Sequence, residues 1–379
     1  VKWQGLGKTV VEMAALRWVI LVIGLSLSGC ATVEYVHQAW EGHRTVMQTS
    51  VPVTTILTDP VADPQLQARL AQALKARRFA SDRLQLPDNP SYTRYSALPR
   101  PYVVWNLFVA PEFSVDPVEH CFLFAGCTAY KGYFDEQRTR QEARTWREKG
   151  MDVYVGGVPA YSTLGWYDDP LLSSMLHWDD AYVAELIFHE LAHQLLFVRD
   201  DTAFNESFAT FVGQEGMRQW RAAQGLEPAD ASIERQRQQF IELVQMTTRD
   251  LRQLYASEVD DQARRQAKAA RFEQLRAEYR YLQDQHWAGD TRYDAWIDAE
   301  LNNASLLPFG LYDQWVPAFE RLFRQAGNDW DDFYQAVRKV AALDPKARQA
   351  QLERLSGRPP APRPTQASRL GKLLDSKSR

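Results

Sequence analysis

The sequence predicts an α+β protein that is predominantly helical. Apolar residues recur at helical spacing over 35–48 and 64–84, and again over 184–197, 204–212 and 232–287. Two strand-like runs, Tyr102 to Val109 and Val153 to Val158, flank a helical stretch from Thr139 to Lys149. That order of strand, helix, strand and helix describes a small sheet set beside a helical body.

Taken in order, the chain opens on Val1, and Met13 is the expected start of an export signal. Arg17 supplies its positive end and Trp18 to Leu25 its apolar core. The run is too short to cross a bilayer about 30 Å thick as a helix, and no second apolar run of membrane length follows. Leu27-Ser28-Gly29-Cys30 resembles the lipobox of bacterial lipoproteins, which implies a lipidated Cys30 as the mature N-terminus. Ala31 behind it resembles the pattern sent to the outer membrane in many Gram-negative bacteria. Removing the signal leaves roughly 350 residues, enough for one large or two modest cores. A net charge of −4 gives no electrostatic reason to expect a nucleic-acid partner.

Asp63 is placed to cap a helix carrying Leu66, Leu70, Ala71 and Leu74 on one face. With Cys30 assigned to lipid, Cys121 and Cys127 remain, and in an oxidising compartment a disulfide can close that short loop. Two reduced buried thiols are the alternative, and a metal pair lacks further cysteines. Gly156 to Thr163 reads either as an edge strand whose glycines admit an extended peptide, or as a plain glycine turn.

The segment Ala184 to Phe197 is strongly apolar and holds no Gly, Pro or Asn, which favours a buried helix. Residues four apart share a helix face, so His189 and His193 present their imidazoles at the spacing that chelates one metal ion. Glu190, next to the first ligand, can reach a water on that metal and act as general base in peptide-bond hydrolysis. Twelve residues, Gln194 to Asn205, allow a turn and a second helix that brings back Glu206 as third ligand, with Asp201 or Thr202 as its N-cap. Two histidines and a glutamate leave the fourth position of one tetrahedral Zn2+ for water. Asp200, Asp201 and Glu215 are competing ligands, and Asp168, Asp169 and Glu185 are candidates to grip a substrate ammonium. His177 reads as a surface histidine.

Residues 232–287 carry Ile233, Phe240, Leu243, Val244, Leu251 and Leu254 at helical spacing, and Ser257-Glu258-Val259-Asp260 marks a cap and restart. Two long helices forming a hairpin are expected, their charges a solvated face. Asn302 begins a further helical region, in which Tyr312 could donate its hydroxyl to an oxyanion. A basic, proline-rich tail closes the sequence and is expected to be disordered.

His189-Glu190-x-x-His193 followed by Asn205-Glu206-x-x-Ala209 resembles the gluzincin metallopeptidases, whose third zinc ligand is the glutamate of the second motif. More closely, the chain resembles a family of bacterial lipoproteins described as predicted zinc aminopeptidases. The shared stretches are Cys121 to Cys127 with Tyr130-Lys131-Gly132-Tyr133-Phe134, Ala160 to Trp166, Asp169-Pro170-Leu171-Leu172 and, weakly, Asn302-Asn303-Ala304 and Tyr312. The resemblance implies a zincin-like core, one Zn2+, peptide substrates, aminopeptidase action and a lipid anchor on the periplasmic face of the outer membrane. An envelope endopeptidase, or a non-catalytic lipoprotein that binds a partner, is the alternative. One departure stands out: the family pattern usually has an acidic residue where this chain has Gly213, so Glu215 or another residue replaces that carboxylate or it is missing. The expected divisions are a signal over 1–30, an N-terminal helical segment over 31–100, the catalytic core over 101–230, a C-terminal helical region over 231–355 and the tail over 356–379.

Overall fold

A computed structural model describes residues 34–122, 126–227 and 230–357. The signal segment with Cys30, and the tail from 358 onward, lie outside the described residues. Helices dominate and frame small sheets, the α+β architecture that the sequence predicts.

The helix α1 (34–49) leads into β1 (Val51–Pro52), α2 (Val53–Thr58) and α3 (Pro64–Leu84). Pro64 opens α3, where its missing N–H is not needed, and the Asp63 carboxylate accepts a bond from Gln65 N. The buried stripe of α3 runs through Leu70, Ala73, Arg77, Ala80 and Leu84, whereas Ala71 and Leu74 only flank it. Arg77 leaves that stripe to donate to the carbonyls of Ser91, Pro87 and Asn89, which fixes the chain ahead of β2 (Arg94–Ser96).

The larger sheet places β3 (Val104–Ala110) in its centre. The strands β4 (His120–Phe122) and β5 (Gly126–Thr128) form a separate antiparallel pair, bridged by a Cys121–Cys127 disulfide. Then β6 (Lys131–Tyr133) pairs with one edge of β3, and after α4 (Glu136–Glu148) the strand β7 (Asp152–Val158) pairs with the other, both antiparallel. Both faces of β3 are covered: Leu107 and Val109 pack with Ala143 of α4, while Phe108 and Ala110 pack with Leu307 and Leu311 from much later in the chain. A strand buried on both sides reads as a continuous apolar run. A short β8 (Leu171–Leu172) lies parallel to β2.

The helices α5 (Asp180–Leu195) and α6 (Thr202–Ala223) follow, each opened by an aspartate: Asp179 accepts from Tyr182 N, and Asp201 from Phe204 N. Asp201, not Thr202, is therefore the cap. The apolar side of α6 gives Phe208 and Phe211 to one core shared with Phe319 of α11 (Val316–Gln325) and Phe333 of α12 (Trp330–Ala341).

Between them in sequence, α7 (Ala231–Tyr255) and α8 (Asp261–His286) form the expected hairpin, with Asp260 capping α8 through Ala263 N. Phe240, Leu243, Val244 and Leu251 meet Phe272, Leu275 and Tyr279 in a second core. After the single-turn α9 (Asp294–Ile297), α10 (Asn303–Tyr312) starts with a reciprocal Asn302–Ser305 capping box. Asn302 also donates to Val153 O, and Asn303 N to the Asp152 carboxylate, so α10 is fastened to β7. The last described helix, α13 (Pro345–Ser356), ends on Gly357 in the left-handed conformation.

Candidate active site

Three side chains from α5 and α6 converge on one point. The Nε2 atoms of His189 and His193 lie 3.2 Å apart, and Glu206 Oε2 lies 3.5 Å from each. Ligand bonds of about 2.0–2.1 Å in a tetrahedron place the ligand atoms about 3.3 Å from one another, so the spacing fits a single small cation. The chemistry of the donors agrees: two imidazole nitrogens and a carboxylate oxygen. Glu206 is held well below the usual carboxylate range; burial alone would raise it, and the bonds and charge of the two imidazoles outweigh that.

The surroundings fix these ligands in place. Tyr130 donates its hydroxyl to Glu206 Oε1 at 2.9 Å, which leaves Oε2 for the histidines. Asn205 binds the connection between the helices at both ends of its carboxamide, accepting from Val198 N and donating to Val198 O at 2.7 Å each. His193 Nδ1 is buried with no partner among the described residues, so that ring is oriented by its packing and by the contacts of Nε2 with His189 and Glu206. The competing carboxylates are all committed elsewhere. Asp200 accepts from Cys127 N, Asp201 caps α6 and pairs with Arg348, and Glu215 pairs with Arg218 and Gln219. Glu215 therefore does not fill the place left at Gly213, where an added Cβ would lie only 2.9 Å from Glu185 O.

Glu190 is 7% exposed and lines the same cleft as the cluster, and its carboxylate makes no hydrogen bond with any described residue. Burial raises its pKa, against the opposing pull of His189 and His193. Tyr312 reaches the site from α10, its ring centroid 6.2 Å from that of His189, and burial followed by the Glu206 charge holds its hydroxyl firmly protonated. The cleft measures about 730 Å³, within the range of small-ligand sites, and runs past Asn106, Gly157, Tyr161, Glu185 and Phe197.

Other candidates sit apart. Asp168 and His177 are exposed, and neither lines the cleft. Asp169 is buried and accepts from Thr163 N and Oγ1, anchoring its own loop. Strand β7 ends at Val158, so only the first part of the Gly156–Thr163 stretch is strand; the Tyr102 ring occupies the space of a Gly157 side chain. Spacing rules alone assign no role to Tyr130 or Asn205. Tyr130 stands 76 residues from Glu206, and its only sequence signal is its place in a family-resembling stretch.

A metal-ligand cluster in a substrate-sized cleft, with a free carboxylate beside it, is the class of site that this fold presents. Residues 34–352 match the family model described as "Putative aminopeptidase", and the protein belongs to that family. Membership supports a peptidase function in general terms. No curated protein and no solved structure matches the chain.

Proposed function

We propose that the protein is a zinc-dependent metallopeptidase, acting as an aminopeptidase, with His189, His193 and Glu206 as the ligands of one Zn2+. The observation that carries the reading is the convergence of those three ligand atoms beside the unpartnered Glu190 carboxylate. Zinc, when bound, acidifies water and polarises a carbonyl. Glu190 takes a proton from the attacking water as the new carbon–oxygen bond forms, and returns it to the amine nitrogen as the carbon–nitrogen bond breaks. Tyr312, kept protonated, donates to the carbonyl oxygen as charge builds there. Tyr130 is already committed to Glu206 and holds the ligand rather than the substrate.

The same reading makes Cys30 a lipid anchor and the periplasmic side of an outer membrane the place of action. Its supports are the lipobox-like Leu27-Ser28-Gly29-Cys30 and a disulfide suited to an oxidising compartment. The mechanism is tested with Glu190→Gln in protein whose metal is quantified by mass spectrometry. Unchanged folding and one zinc per chain, with peptide hydrolysis reduced at least about a thousandfold, are expected. A variant as active as the parent rules the mechanism out.

A further inference from the structure

Glu185 stands one helical turn before His189 on α5, so its side chain shares the face of the metal ligands, and it lines the same cleft. Among the described residues its carboxylate makes no hydrogen bond and no ion pair. Arg237, whose charge opposes the effect of burial on Glu185, is occupied: Nε and Nη2 donate to Glu234, and Nη1 donates to Asp313. Glu185, Glu234 and Asp313 thus share one guanidinium, with Glu185, Arg237 and Asp313 lining the cleft, an excess of negative charge when Glu185 is ionised. Burial pushes Glu185 up to about 7, a cost that an incoming cation relieves. Gly213 makes the room, since an added Cβ there would stand 2.9 Å from Glu185 O and 3.3 Å from its Cγ.

A second polar group points the same way. Asn106, on the central strand β3, is only 5% exposed, lines the cleft and forms no side-chain hydrogen bond with any described residue. A buried carboxamide left with free donor and acceptor matches a peptide group, and few other ligands satisfy both.

We propose that Glu185 is the anionic subsite that receives the substrate's α-ammonium group, with Asn106 bonding the substrate backbone. The proposal rests on the peptidase reading above and supplies the feature that makes the enzyme an exopeptidase. The scale agrees: four residues of helix separate Glu185 from His189 by about 6 Å along the axis. An α-ammonium is two bonds from the carbonyl carbon of its own residue. A peptide whose first carbonyl lies at the cluster therefore brings its ammonium within a glutamate's reach.

The test is calorimetric binding to zinc-loaded Glu190→Gln protein, which reads recognition without turnover. Three probes are titrated: Ala-Ala-Phe amide, its N-acetyl form, and N-acetyl-Lys-Ala-Phe amide. The free amine is expected to bind at least about tenfold more tightly than its acetylated form, as for a charge-assisted bond. Adding Glu185→Gln, or Glu185→Ala, is expected to reduce that preference to within about twofold, with zinc content and acetyl-peptide binding unchanged. A preference that survives both variants, equal binding of free and acetylated peptides, or no binding of the free amine overturns the proposal. A Glu185-dependent gain confined to the lysine probe also overturns it, making the subsite one for basic side chains. Failure of the peptidase reading shows separately, as absence of hydrolysis by zinc-loaded protein with Glu190 intact.

Discussion

Tyr130 decides which oxygen of Glu206 faces the histidines. Its hydroxyl holds Oε1, and the carboxylate cannot rotate to present that atom without losing the bond. Tyr130→Phe is therefore expected to weaken zinc binding about 10- to 100-fold, read by competition with a chromogenic chelator, while circular dichroism stays unchanged. An unaltered affinity would show that helix packing alone orients Glu206. A different residue-scale effect belongs to His120, whose Nε2 is buried without a partner among the described residues. Burial, then Lys131, push it down to about 4 from its ordinary 6.5, with Glu142 opposing. The unfolded chain thus takes up the proton first as pH falls, and stability drops between about 6.5 and 4. Urea midpoints at pH 7.5 and 4.5 should fall further for the parent than for His120→Gln; equal falls would contradict the assignment.

At the scale of elements, the helix pair α5 and α6 makes the cluster, and Gly213 sets how closely the two approach. Ala at 213 would have to displace backbone, since its nearest neighbour is a carbonyl oxygen at 2.9 Å. Gly213→Ala should cost about 1–3 kcal/mol of stability in denaturant unfolding, a typical penalty for overpacking. A neutral result would mean that the helices part freely. These elements, and the hairpin of α7 and α8, were legible in the sequence because twenty or so residues at helical spacing leave a strong periodic trace. The pairs β4–β5 and β2–β8 were not legible. Strands of two or three residues carry no period, and Arg94–Ser96 pairs with Leu171–Leu172 only through contacts distant in sequence. In the candidate site, His189, Glu190, His193 and Glu206 could be read from local spacing. Tyr130 could not, because its partner lies across the fold.

For the molecule as a whole, the C-terminal helices return to brace the helices that carry the cluster. Arg348 of α13 is nearly buried and pairs with Asp201 at 2.7 Å, the residue that also caps α6. Replacing Arg348 with Met strips the charge partner from that cap and should destabilise the fold by about 2 kcal/mol or more, with zinc affinity falling in parallel. Loss of stability without loss of affinity would show that the end of the chain props the fold but not the cluster. The fastening of α10 to β7 has a further consequence. Asn302 takes the carbonyl of Val153 on the outer border of the sheet, so a foreign strand cannot add along that border beyond this point. Among the described residues, the part of β7 nearer the cleft, beyond Val153, is the stretch of that border left for a short extended guest.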